Sequence, residues 1–582
     1  MKTEWNLDVI YKGIEDPKFE ADFKKAKSCV KELEKMITEA KSATDDAWVE
    51  DVFVQMETFT ELMESLYLYV ELCQSVDTEN GALMAQVNRI MKVLSAFSPL
   101  ESAAMKLLAT IDDVDTLANK SEVVKEYLHI IKRAKEKAKY LLSDDAEEMI
   151  AAMSMTGSSA WSQLQAFLSS TVAVDYEGKE VTLSEIRNMA YSPDAKVRKL
   201  AYEAEIKSYE KIQDGIAFAL NNIKNEVTML SNKRGYESPL AMTLAGQYMS
   251  RETLDAMMEA ISDYLPEFHR YLKKKAELLG HKNGLPFYDL FAPLGKADKT
   301  FTVEEAREYL VNCFKEFTPE MSDMMAEAFD NEWIDFFPRK GKQGGAFCAG
   351  VAGLKQSRIL TNFDGYFGSV GTLAHELGHA FHNKQIQNER ALNHDYSMPV
   401  AETASTFNET HLGRYALQSA EGEERLNLLE NSLMEDTQVI VDIYSRYLFE
   451  TAVFEQSKNK FLMANDLKEL MLDAQKKAYG DGLDPEYLHP YMWACKSHYY
   501  SASQNFYNFP YAFGALFAKG LYKMFEKEGD AFVEKYKLML QKTPACSIEE
   551  TGAMMGIDLT KKEFWAESLS MVVEDINEFC KF

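Results

Sequence analysis

The chain has 582 residues and a formal net charge of -28, from 64 Lys and Arg against 92 Asp and Glu. A field of that sign repels phosphate backbones and anionic lipid surfaces, which argues against nucleic acid and membrane partners. The length allows ample apolar burial around a deep cleft. The seven cysteines are odd in number, scattered and without a C-x-x-C pair, so they read as reduced thiols of a cytoplasmic protein.

From the N-terminus, no apolar run follows Lys2, and no later stretch approaches the roughly 18 uncharged apolar residues of a membrane span. Apolar residues recur at three- and four-residue spacing in segment after segment, while Gly and Pro are sparse, which predicts a mainly α fold. Around residues 170–182, TVAVDYEGKEVT alternates about a Glu-Gly turn and predicts a hairpin between two helical parts. Thr182 with Glu185, and Thr302 with Glu305, carry capping-box spacing. We therefore expect an N-terminal helical lobe over 1–185 and a catalytic region over 186–582, packed together without a flexible linker. Residues 336–366 break the helical pattern with glycines and a short β-type run, SRILTN.

In TLAHELGHAFH, residues 372–382, His375 and His379 stand four apart in an uninterrupted helical pattern. A helix turns about 100° per residue, so the two imidazoles share a face and suit one zinc ion. Glu376 projects beside them, where a carboxylate can act on water without being a ligand. Seven of the ten histidines (His375, His379, His382, His394, His411, His489 and His498) crowd into one quarter of the chain, which satisfied core histidines do not readily explain.

A catalytic zinc site needs a third protein ligand. Glu402 is the candidate, in MPVAETASTFNETH, where Pro399 suits a first turn and Glu402, Ser405 or Thr406, and Glu409 share a helical face. His382, His394 and Glu409 compete for the role. His382 lies too close along the same helix to complete a tetrahedron comfortably, and Glu409 is better suited to accept an N–H from a ligand imidazole. Gly378 costs its helix about 1 kcal/mol relative to Ala, a cost that close approach of a crossing helix explains.

At these residues the sequence resembles the thimet oligopeptidase and oligoendopeptidase F family of zinc peptidases, the oligoendopeptidase F branch most closely. The resemblance rests on HELGHAFH at 375–382 and ETASTFNE at 402–409, with RKGKQGGAF at 339–347 and HYYSASQNFYNFPYAFG at 498–514. RGYESPL at 234–240 and YDLFAPLG at 288–295 extend it as weaker echoes. It implies a large two-lobed helical fold with a deep channel, one Zn2+ on His375, His379 and Glu402, Glu376 as catalytic glutamate, and oligopeptide substrates. His498, Tyr507 and Tyr511 are the nearest matches to the family's later histidine and tyrosines, with Tyr499 and Tyr500 as alternatives.

Together these expectations describe a zinc oligoendopeptidase in which Glu376 moves the proton and Tyr507 or Tyr511 stabilises the developing oxyanion. For the tyrosines, a plain core role competes. Gly344, Gly345, Ala346 and Phe347 offer backbone groups to an extended peptide, or merely turn the chain. A peptidyl-dipeptidase or carboxypeptidase needs in addition a cation to grip a terminal carboxylate. A peptide binder without catalysis would not need Glu376.

Overall fold

The computed structural model describes residues 2–40, 46–295 and 299–582. It is 71% helical and 4% strand, so the mainly α reading holds. Among the described residues no helix is long and apolar enough to cross a membrane.

Near the N-terminus, α1 (Pro17–Glu39), α2 (Asp46–Val76) and α3 (Gly81–Leu108) pack on one another. Asp16 caps α1 by accepting from the Lys18 amide, and Pro17 sits in the first turn, where its missing N–H costs nothing. In α2, Val52, Met56, Phe59, Met63, Leu66 and Val70 repeat every three or four residues and are buried against α1 and α3. Val49 and Phe53 lie on another side of the same helix and enter a smaller core with Leu108, Val124 and Ile131.

The predicted hairpin is present as β1 (Val174–Tyr176) and β2 (Lys179–Val181), antiparallel with Val174 opposite Val181. Glu177 at φ 51° and Gly178 at φ 77° are both left-handed, as a tight two-residue hairpin turn requires. The capping box of Thr182 and Glu185 opens the helix that follows, and that of Thr302 and Glu305 opens Val303–Lys315. Buried apolar residues drawn from Val172 through Phe579 form one large continuous core, with Leu183 and Ile186 both inside it.

A three-stranded sheet interrupts the helices, made of β3 (Ile334–Asp335), β4 (Phe347–Val351) and β5 (Gln356–Leu360), in the order β3-β5-β4. β5 runs parallel to β3 and antiparallel to β4, which leaves β4 at an edge. The N-terminal helices sit on this sheet. Val351 and Leu360 join their core, Arg358 Nε donates to the Asn6 carbonyl at 3.0 Å, and the Gln343 amide donates to the Ser75 carbonyl at 2.7 Å. The helix Phe367–Ile386, carrying the H-E-x-x-H residues, packs across β4 and β5.

Candidate metal centre

His375 and His379, one turn apart on the Phe367–Ile386 helix, bring their Nε2 atoms to 3.2 Å. The second helix begins as a short turn, Met398–Ala401, with Pro399 at its start, and continues as Thr403–Leu417. Between them Glu402 leaves helical geometry at φ -93°, ψ 6°, so the single continuous helical face expected for Glu402, Ser405 and Glu409 is broken at its first member. Glu402 Oε2 lies 3.3 Å from His375 Nε2 and 3.4 Å from His379 Nε2.

Gly378 explains the approach. A β-carbon there would stand 2.6 Å from both the Ala404 carbonyl oxygen and Ser405 Cα, so only glycine admits the crossing helix. Asn408 Nδ2 donates to the Ala374 carbonyl at 3.0 Å and pins the two helices together.

Two further contacts orient the donors. His375 Nδ1 pairs with Glu409 Oε1 at 3.0 Å, which leaves Nε2 as the free donor atom of that ring. Ser405 Oγ donates to Glu402 Oε2 at 2.8 Å, a role that helical phase alone does not assign to the serine.

The donor set fits a tetrahedral divalent ion. Bonds of about 2.05 Å to nitrogen or oxygen require donors about 3.3 Å apart, and three donors leave one position open. Among the described residues this is the group of His, Cys, Asp and Glu whose donor atoms converge in this way. The competing ligands lie elsewhere. His382 is fully buried and paired with the Leu540 carbonyl at 3.1 Å and Thr543 Oγ1 at 2.9 Å, while His394 is paired with Glu64 Oε1 at 3.1 Å.

The electrostatics favour a cation. Burial opposes charge on His375, yet the carboxylates of Glu402 and Glu409 overcome it and hold its pKa up to about 10. Glu402 is half-buried, which opposes its charge, but hydrogen bonds with His375 and His379 keep its carboxyl far below its usual range. Glu376 is only 5% exposed, and its carboxylate has no hydrogen-bond partner among the described residues. Burial raises its pKa against the pull of His375 and His379. Its charge acts on Cys348 of β4.

The helix Phe509–Glu528 packs on the Glu402 junction, where a β-carbon on Gly514 would stand 3.3 Å from Glu402 Cβ. Tyr511, one turn earlier, has its hydroxyl 3.3 Å from that of Tyr507. Burial, Tyr507 and the charge of Glu402 together raise the Tyr511 pKa, which keeps its proton in place. The His498 ring stacks on Tyr507 at 5.2 Å, and burial together with Arg446 and Lys496 lowers its pKa. Phe506, immediately before Tyr507, sits at φ 52°, a strained conformation for a bulky residue. Tyr499 and Tyr500 are buried in the core, with the Tyr500 hydroxyl donating to the Trp493 carbonyl at 2.9 Å.

Gly344, Gly345 and Ala346 lead into β4, and Phe347 begins it, its ring 6.2 Å from that of Trp5. Gly345 and Ala346 line a 260 Å³ cavity with Thr372, one turn before His375. Thr372 also lines a 540 Å³ cavity that contains Glu409 and Glu435. Glu435 carries no motif, since it sits in an ordinary helical run.

The chain is similar to known peptidases along most of its length. Residues 188–571 match the model of peptidase family M3, and residues 108–172 match that of oligopeptidase F. Oligopeptidase PepF of Bacillus subtilis is 26% identical over 589 residues, covering 99% of this chain and 86% of that protein. The solved oligoendopeptidase-F of Enterococcus faecium superposes with a TM-score of 0.69 at 21% identity, over 97% of this chain and 98% of that one. A solved Chlamydophila abortus protein superposes at 0.86 with 19% identity, over 100% and 98%. With most of its length matched and the fold shared, the chain belongs to peptidase family M3.

Proposed function

We propose that this chain is a zinc-dependent oligoendopeptidase that hydrolyses internal bonds of short peptides. The observation that carries the reading is the triangle of donor atoms on His375, His379 and Glu402, with sides of 3.2, 3.3 and 3.4 Å. Oligopeptide substrates are supported by the names of the relatives, oligopeptidase PepF and oligoendopeptidase F.

His375, His379 and Glu402 hold the zinc ion, which when bound supplies Lewis acidity and activates water near neutral pH. Glu376 takes the proton of the attacking water and returns it to the departing amine. A buried carboxylate without a competing hydrogen bond suits both steps, since burial brings its pKa nearer to the operating pH. Glu409 holds the His375 ring in the orientation that keeps Nε2 free.

Tyr511, with Tyr507 beside it, donates a hydrogen bond to the carbonyl oxygen as negative charge develops there. His498 orients Tyr507 by stacking on it. The free edge of β4 and the Gly344–Phe347 backbone accept the peptide as an added strand, which makes recognition only loosely dependent on side chains.

Two measurements test the reading. Metal analysis of the purified chain is expected to give one zinc per molecule, and mass spectrometry of peptides blocked at both ends is expected to find cleavage at internal bonds. Absence of stoichiometric zinc, or products limited to dipeptides cut from free C-termini, would overturn it.

A further inference from the structure

The loop between β3 and β4, residues 336–346, is held more firmly than its glycines suggest. Asp335, fully buried on β3, accepts two hydrogen bonds from Arg339 at 2.6 and 2.8 Å and one from Lys342 at 2.6 Å. The Lys342 ammonium also reaches the carbonyls of Asp335, Phe337 and Thr361 at 3.1, 3.0 and 2.5 Å, so this buried charge is fully partnered. The Thr78 amide and hydroxyl both donate to the Gly341 carbonyl, at 2.8 and 2.9 Å. The charged part of the RKGKQGGAF motif is therefore spent on anchoring the base of the loop.

Asn362, just past the end of β5, holds the tip. Its Nδ2 donates to the Gln343 carbonyl at 3.0 Å and to the Gly345 carbonyl at 2.9 Å, which uses both amide hydrogens. Across a trans peptide the carbonyl and the following N–H point in opposite directions, so gripping these two carbonyls turns the N–H groups of Gly344 and Ala346 away from Asn362. Neither N–H donates to any group among the described residues, and Gly344 is exposed. A β-carbon on Gly344 would meet nothing within 4 Å, and its φ is not left-handed, so the room this glycine leaves lies outside the chain. Gly345, Ala346 and Asn362 line the 260 Å³ cavity with Thr372, one turn before His375, which puts the tip beside the metal-binding helix.

On the peptidase reading above, on which this inference rests, an extended substrate brings carbonyl groups that need donors. Two N–H groups two residues apart match the period at which an extended chain turns its carbonyls to one edge. We propose that Asn362 is a positioning residue for the substrate: its amide aims the Gly344 and Ala346 N–H groups at two backbone carbonyls of the bound peptide. Without that grip the glycine backbone is free to turn, and binding must bear the cost of ordering it.

The test is a binding measurement on the full zinc-loaded chain carrying Glu376→Gln, so that it does not depend on turnover. Fluorescein-labelled decapeptides blocked at both ends, one all-amide and the others with a single amide replaced by an ester at successive positions, are titrated by anisotropy, because an ester carbonyl is the weaker acceptor. At two positions, two residues apart, the ester is expected to bind about three- to tenfold more weakly than the amide. Both penalties should fall towards one when Asn362→Leu is added, with zinc content and the urea midpoint unchanged. Where Asn362→Leu does not fold, Asn362→Asp, which keeps the shape and loses the donor hydrogens, is read in the same way. Ester penalties that persist in these variants, or their absence at every position before any change at Asn362, overturn the proposal. Failure of the peptidase reading would appear separately, as intact blocked peptides after incubation with the unsubstituted chain.

Discussion

Gly378→Ala probes how the metal centre is assembled, because the substitution adds one methyl group and touches no ligand. On helix propensity alone it stabilises the motif helix by about 1 kcal/mol. The new β-carbon, however, would stand 2.6 Å from Ala404 O and Ser405 Cα, both backbone atoms of the crossing helix, and 2.9 Å from Ala404 C. Ordinary contact begins near 3.4 Å, so the helices must part by about 0.8 Å, and such overpacking costs about 1–3 kcal/mol. In stability the two effects partly cancel, leaving a net loss of about 0–2 kcal/mol.

They do not cancel at the metal. Glu402 immediately precedes the displaced turn, and its oxygen sits 3.3 and 3.4 Å from the two histidine nitrogens, where about 0.5 Å is the tolerance of a working site. Zinc affinity, measured by competition with a chromophoric chelator, is expected to fall at least about tenfold while urea unfolding changes by less than about 2 kcal/mol. Unchanged zinc affinity in Gly378→Ala would refute the argument that helix spacing sets the ligand triangle.

Glu376→Gln is expected to retain zinc and lose about 10² to 10⁴ in kcat, read by peptide hydrolysis with metal content measured on the same sample. Glu409→Ala should weaken zinc about tenfold to a hundredfold by freeing the His375 ring, which chelator competition reports. Tyr511→Phe should lower kcat by about 10² with little change in KM, since the lost hydrogen bond acts on the developing charge. A pH effect is expected well away from the site, at His129, whose pKa burial and Arg133 lower from 6.5 to about 4. Unfolded, this group binds a proton below about 6.5, whereas folded it does so only below about 4. Its contribution is therefore complete above pH 6.5 and is lost as pH falls towards 4, by up to about 3 kcal/mol. Urea titrations from pH 7 to 4 should show a shallower loss of stability in His129→Gln than in the parent chain.

Features that depend on near neighbours in the chain are legible in the order of its residues. The Glu177-Gly178 turn, the capping boxes at Thr182 and Thr302, the apolar face of α2 and the one-turn spacing of His375 and His379 all follow from backbone geometry over a few residues. Gly378 announces a close approach because glycine is unfavourable inside a helix unless something requires it.

Other features require the packing of distant segments. Helical phase puts His382 in line with His375 and His379, yet its ring is turned to Leu540 and Thr543, residues about 160 positions away. The break in the second helix at Glu402 and the contact of the Phe509–Glu528 helix with that junction have no local signature. By itself the sequence determined the chemical kind of each donor and its place on a helix. The tertiary structure decided which donors meet, because the distance between helices is set where segments far apart in the chain pack on one another, as Gly378 does on Ala404 and Ser405.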